Sequence, residues 1–203
     1  MTSARAIEPD LIAGALSLDF ANTCGGRKLE QPIDRLQEAA DLVAWAEHAG
    51  VLDAATAKRL RAELARDDAT ARRWLRRALT LREAIHGVGA SIERGEAPAA
   101  VDLGTVLAAL RQGLAGASLA PTADGVYRPD FAGNAGSDAI LGPIAWDAIE
   151  MLGHGPLDRL KACPAEDCGW LFIDRSKSGT RRWCDMATCG NRAKARRHRQ
   201  AGR

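Results

Sequence analysis

Cys163-Pro164-Ala165-Glu166-Asp167-Cys168-Gly169 and Cys184-Asp185-Met186-Ala187-Thr188-Cys189-Gly190 are two C-x4-C pairs separated by 15 residues. Two thiolates one tight turn apart chelate from a single knuckle, and two knuckles close a tetrahedron around one Zn²⁺. With Cys163, Cys168, Cys184 and Cys189 filling all four positions, no coordination site remains for water or substrate, so the metal chemistry implied is structural. A glycine ends each pair, where a backbone without Cβ can fold back and aim N–H groups at sulfur. Of the five cysteines only Cys24 lies elsewhere, and such clustering favours metal over disulfide.

Charge divides the chain at the same place. Residues 158–203 hold twelve Lys and Arg against five acids, a net of +7, while the rest of the chain carries −5. A basic segment beside an acidic one implies a polyanionic partner for the former. Its cations are Arg175, Lys177, Arg181 and Arg182 in the loop between the knuckles, then Arg192, Lys194, Arg196, Arg197 and Arg199 after the second. Residues 191–200 predict a helix in which Arg192, Arg196 and Arg199 share one face and Asn191 caps the start or braces the knuckle. Ala193 and Ala195 are its only apolar members, too few for a buried face, so duplex DNA is the expected partner and a solvated tail the alternative.

The elements that must position these groups are mostly helical. Asp34 is placed to cap a helix running to Gly50, Asp53 a second with Leu60 and Leu64, and Asp67 or Asp68 a long third ending near Gly95. A fourth carries Val106, Leu107, Leu110 and Leu114. Asp124-Gly125 predicts a hairpin turn between short strands at 118–122 and 126–130, kept short by Pro121 and Pro129. Helix returns over 138–152, with Pro143 in its first turn or kinking it, and Gly153-His154-Gly155-Pro156 breaks the chain. The expected fold is therefore α+β: a mostly helical regulatory domain over 1–157 with a short hairpin, then a small zinc module over 158–203. In that module Trp170 to Asp174 reads as a strand and Ser176 to Gly179 as a turn. Trp170, Phe172 and Trp183 are expected to pack around the metal in place of a larger core.

Leu171-Phe172-Ile173-Asp174-Arg175-Ser176, Arg181-Arg182-Trp183-Cys184 and Cys189-Gly190-Asn191-Arg192 resemble the CGNR zinc finger. Upstream, Leu18-Asp19-Phe20-Ala21-Asn22-Thr23 followed by helices is similar to the ABATE-type domain that accompanies this finger in bacterial proteins described as stress-induced transcription regulators. The resemblance covers nearly the whole chain. It implies a DNA-binding regulator in which the four clustered cysteines hold one zinc.

Asp19, Asn22 and Thr23 end an apolar segment before Gly25-Gly26, where polar side chains could line an effector pocket or satisfy a turn. Cys24 is a lone thiol, more in keeping with an inert core cysteine than with a redox sensor. His48, His86 and His154 stand far apart, and no HExxH, GxSxG or Gly-rich phosphate loop with its lysine occurs, so no enzyme is expected. No window approaches the roughly 18–20 uncharged apolar residues of a membrane helix. The apolar run from Leu11 to Leu18 follows acidic Glu8 and Asp10, unlike a signal peptide, so a cytoplasmic location is expected. Competing with the DNA reading is a zinc-stabilised adaptor for RNA or an acidic protein; a homodimer would aid DNA specificity.

Overall fold

A computed structural model describes residues 11–201, so the acidic Glu8 and Asp10 and the basic Arg203 lie outside the described residues. Seven helices and three two-stranded antiparallel sheets make up the described chain, an α+β fold. No described helix is long and apolar enough to cross a membrane.

Helix α1 (Leu16–Ala21) leads into β1 (Cys24–Gly25), which pairs with β2 (Ile33–Asp34). The next helix, α2 (Ala39–His48), begins later than the sequence predicts. Asp34 is not its cap: its Oδ1 accepts from Leu36 N at 2.9 Å, and both its oxygens pair with Arg82. The first turn of α2 is closed instead by Asp41, whose Oδ2 accepts from Glu38 N at 3.0 Å. Helix α3 (Ala54–Leu64) starts at Asp53, which accepts from Thr56 N at 2.7 Å, and α4 (Asp68–Glu93) at Asp67, which accepts from Ala69 N at 2.9 Å.

Helix α4 is the spine. Its buried stripe of Trp74, Ala78, Leu81, Ile85 and Val88 supports α1, α2 and α5 (Ala100–Leu114). The predicted hairpin forms from β3 (Ser118–Pro121) and β4 (Tyr127–Asp130), each strand one residue shorter than expected, and Gly125 takes a positive φ of +79° while Asp124 does not. In α6 (Asp138–His154) Pro143 lies in the second turn rather than the first. Helices α5 and α6 cross where Gly113 meets Gly142, and a Cβ on Gly113 would lie 2.6 Å from the Gly142 Cα.

Two apolar cores result. One joins α1–α6 and includes Trp45, packed 5.1 Å from Phe20 between ring centroids. The other surrounds the cysteines and draws Ala13, Leu18 and Met151 from before residue 158 together with Leu160, Leu171, Phe172 and Ile173. In it β5 (Leu160–Ala162) pairs with β6 (Leu171–Ile173), and β6 is extended by Ala13, whose carbonyl accepts from Ile173 N at 2.7 Å. Gly89 lets α4 approach β6, since a Cβ there would sit 2.8 Å from the Leu171 side chain.

Candidate metal centre and basic helix

The first knuckle, Cys163–Cys168, follows β5 and turns back into β6. Gly169 takes φ +81°, a conformation costly for any side-chain-bearing residue, and turns the Trp170 N–H onto the Cys168 sulfur. Cys163 receives N–H groups from Ala165 and Cys184 in the same way. The second knuckle is built differently. Asp185 accepts from Ala187 N at 3.1 Å and Thr188 N at 2.8 Å, starting a wide π-type turn, Met186–Gly190, that runs straight into α7 (Asn191–Ala201). Helix capping thus belongs to Asp185, while Asn191 braces the turn by donating from Nδ2 to Ala187 O at 3.0 Å. Gly190 packs under Met186, whose sulfur would lie 2.4 Å from an added Cβ.

All four cysteines are buried, and their sulfurs lie within 4.8 Å of one another. Cys168 Sγ is 3.6 Å from Cys184 Sγ, which is 3.5 Å from Cys189 Sγ. A tetrahedral zinc with Zn–S bonds of about 2.3 Å has sulfur–sulfur edges of about 3.8 Å. The spacing therefore fits one zinc ion, and no disulfide occurs among the five cysteines. Protonation cannot settle four crowded sulfurs alike. Hydrogen bonds from Cys168 and Cys184 pull the Cys163 thiol down, the contact with Cys163 pushes Cys168 up, and contacts with Cys163 and Cys168 raise Cys184. A divalent cation removes this conflict by taking all four as thiolates. Arg192 Nη2 adds a donor 3.2 Å from Cys189 Sγ.

Residues 24–35 clamp the first knuckle from the helical side. Arg27 N donates to Cys168 O at 2.9 Å, and Lys28 Nζ to Cys163 O and Ala165 O at 3.1 and 3.2 Å. This loop is tied to α4 by Arg82, 4% exposed, which grips Asp34 through two bonds of 2.6 and 2.8 Å. His86 on α4 lies 3.1 Å from Gly169 O, and burial holds its imidazole below the ordinary range.

The other clamp is Asp174, fully buried at the end of β6. It accepts from Lys161 Nζ at 2.7 Å, Ser176 and Arg181 N, and these bonds hold its carboxyl well below the usual range. Lys161 also caps Gly179 O and Arg181 O, so a partly buried ion pair shapes the loop carrying four of the nine expected cations.

Those cations separate into two groups. Arg181 lies 4.4 Å over the Phe172 ring and donates to Ile12 O at 3.1 Å, to Trp183 O and to Cys184 O, and Arg175 donates to Gly14 O. Both therefore bind the 12–14 backbone. Arg192 and Arg196, predicted to lead outward, turn to the first knuckle. Asp167 Oδ2 lies 3.3 Å from each, and Arg196 also meets Glu166 at 2.9 Å. Lys177, Arg182, Lys194, Arg197 and Arg199 are exposed and form no ion pair among the described residues, Arg182 lying 5.2 Å over the Trp183 ring. Glu166, Asp167 and Asp174 were not singled out from sequence, although Asp167 falls inside a knuckle beside a basic helix.

Asp19, Asn22 and Thr23 do not open into a pocket. They are 8%, 2% and 0% exposed, and their polar atoms meet Ala13 N, both backbone groups of Leu171, and Phe20 O. Burial raises the Asp19 carboxyl to about 6. Cys24 is buried, and desolvation pushes its thiol upward.

Comparison with known families gives two matches in chain order. Residues 14–155 match ABATE, described as "Putative stress-induced transcription regulator", and residues 159–201 match the CGNR zinc finger. No curated protein matches the chain.

Proposed function

Because the chain belongs to the ABATE family and carries a CGNR zinc finger, we propose that it is a zinc-dependent, DNA-binding transcriptional regulator responsive to stress or a small-molecule effector. Residues 1–157 are the regulatory part in this reading, and residues 158–203 the nucleic-acid-binding part, acting in the cytoplasm and without catalysis. The observation that carries it is the attachment of α7. The helix grows directly out of the second knuckle, held by Asp185 at its start and by Arg192 and Arg196 on Asp167. It contains no acidic residue.

Eleven residues make a rod of roughly 16 Å, and a helix diameter of about 10–12 Å suits a major groove about 12 Å wide. Lys194, Arg197 and Arg199, with Lys177 and Arg182 from the loop, are the phosphate or base contacts in this reading. Arg192 and Arg196 orient the helix. The four thiolates hold zinc, and zinc supplies the cross-link that fixes the two knuckles; it takes no part in any reaction.

The test is competition binding of the intact protein to duplex DNA, structured RNA and heparin across a salt series. Four to six phosphate contacts give a log–log slope of about −0.9 per contact for duplex DNA. Replacement of Lys194, Arg197 and Arg199 by alanine is expected to flatten that slope with zinc retained. Salt-independent DNA affinity, or tighter binding to RNA than to any duplex, overturns the reading in favour of an adaptor.

A further inference from the structure

We propose that the groove between α4 and α5 binds a small organic phosphate monoester, its phosphate held by Arg73 and Arg76 and its apolar body lying on Ala108 and Ala109. The assignment deepens the regulator reading, on which it rests for its biological purpose, by giving the effector a site and a chemical class.

Residues 72–77 contain four arginines, Arg72, Arg73, Arg76 and Arg77, although residues 1–157 as a whole carry −5. Spacing of i, i+3, i+4 and i+7 puts Arg73, Arg76, Arg77 and Thr80 on one face of α4. Like charges one helical turn apart repel, so such a face calls for an anion to offset it. Asp138 offsets Arg77, at 2.6 Å, and Ser137 Oγ accepts from the same guanidinium at 2.7 Å. Other acids of α4 are engaged elsewhere: Asp67 holds the helix start through Ala69 N, and Glu83 pairs with Arg27 and Arg82. Arg73 reaches the Thr70 hydroxyl at 2.9 Å, and neither it nor Arg76 forms an ion pair among the described residues. Both side chains are exposed, so their donors can reach a bound group.

On the facing wall α5 presents small or uncharged groups, Thr105, Ala108, Ala109 and Gln112, which leave a groove of about 430 Å³ floored by Leu81 and Leu141. No carboxylate lines it among the described residues. That volume falls within the roughly 300–1,000 Å³ of small-molecule sites. Guanidinium forks match phosphate oxygens, and a phosphate monoester carries about −1.5 to −2 at pH 7, which answers two unpaired arginines better than the single charge of a carboxylate. The alanines and the leucine floor suit an apolar body, which inorganic phosphate lacks. Helix α4 also carries His86, whose ring meets Gly169 O beside the first knuckle, about 15 Å along the axis from Arg76. One element thus bears both the phosphate-binding arginines and a contact with the metal module.

The probe is phenyl phosphate, titrated calorimetrically into the full zinc-loaded chain, with inorganic phosphate and benzoate as controls. One saturable site per chain is expected, about tenfold or more tighter than for either control. Arg73→Gln and Arg76→Gln are each expected to weaken binding about tenfold, as loss of a charge-assisted hydrogen bond implies, with zinc and the thermal transition unchanged. Arg72→Gln removes the same charge from outside the groove lining and is expected to bind within about threefold of the parent. Ala108→Phe keeps every arginine, fills the groove and is expected to abolish binding. No saturable heat up to about 10 mM phenyl phosphate overturns the proposal. So does an equal response to inorganic phosphate, unaltered binding by Arg76→Gln, or a loss with Arg72→Gln matching that with Arg76→Gln, the mark of diffuse attraction. Duplex DNA binding that depends on Arg76, with no phenyl phosphate bound, also overturns it and assigns this face to nucleic acid. Phenyl phosphate binding without DNA binding would leave this site standing and remove the regulator reading; DNA binding indifferent to Arg76, with no phenyl phosphate bound, does the reverse.

Discussion

Asn22 and Leu171, 149 residues apart, exchange two buried hydrogen bonds: Asn22 Nδ2 donates to Leu171 O at 2.9 Å, and Leu171 N donates to Asn22 Oδ1 at 3.1 Å. The side-chain amide pairs with β6 as a neighbouring strand would, three residues beyond a metal ligand. Asn22→Ala leaves a buried N–H and a buried carbonyl unpaired, each costing about 1–3 kcal/mol. Urea denaturation of the zinc-loaded protein is expected to show a loss of about 2–4 kcal/mol. A loss under about 0.5 kcal/mol, the scale of ordinary surface substitutions, contradicts a role for this pair in joining the two parts.

Zinc is expected at one atom per chain. Since the cysteine core includes Leu18 and Met151, chelation is expected to lower the thermal transition of the whole chain rather than to release the tail alone. Structural zinc contributes on the order of 10 kcal/mol to folding in small modules, so the shift is expected to be large. Circular dichroism checks it, with each Cys→Ser variant at 163, 168, 184 or 189 losing metal. An unchanged transition after chelation would contradict the shared core.

Arg181 and Arg197 are expected to fail in different ways. Arg181→Ala removes the bonds to the carbonyls of Ile12, Trp183 and Cys184 and the contact with Phe172, and should destabilise the protein by about 2–4 kcal/mol. Arg197→Ala should leave stability within about 0.5 kcal/mol and reduce the salt slope of DNA binding by about 0.9. Paired denaturation and salt titrations separate them, and matching stabilities would undo the distinction.

Asp167→Asn weakens the hold on Arg192 and Arg196. Increased amide exchange in α7 and weaker DNA binding are expected without loss of zinc, because Asp167 is not a thiolate ligand. Exchange rates in α7 that match those of the unaltered chain would show that Glu166 and the turn suffice.

Asp19 introduces a pH dependence. Burial raises its folded pKa to about 6, with Asp147 raising and Arg181 lowering it. Its protonated form is favoured on folding, so this contribution is fully present below the ordinary value of 3.8 and is lost as pH rises through about 6. Asp19→Asn is expected to lessen the fall in stability between pH 5 and 8, by at most about 2 kcal/mol. Denaturant midpoints at the two pH values measure it; equal slopes in both proteins would exclude Asp19 as the source.

The knuckle cysteines, the caps at Asp53 and Asp67 and the Asp124-Gly125 turn were legible because each is a local pattern: ligand spacing, capping chemistry and turn conformation act within a few residues. Asp34 shows where local reading stops. By type and place it could cap a helix, but Arg82, 48 residues away, needs a carboxylate in the core and takes it. Of the two roles open to Asn191 it takes the bracing one, and Asp185 supplies the cap, because a π-type turn, invisible in composition, extends the helical path back into the knuckle.

The sequence by itself determined the identity of the metal donors, the absence of an open coordination position and the basic character of the last helix, since these depend on residue type and short spacing. Only the tertiary structure decided which cations are already engaged. Long arginines reach several ångströms and pair with whichever carboxylate or carbonyl the fold brings near, so Asp167 engages Arg192 and Arg196, and Ile12 and Gly14 engage Arg181 and Arg175. The same is true of Asn22: a polar residue after an apolar run could line a pocket or complete a strand, and β6 arriving from 149 residues away decides it.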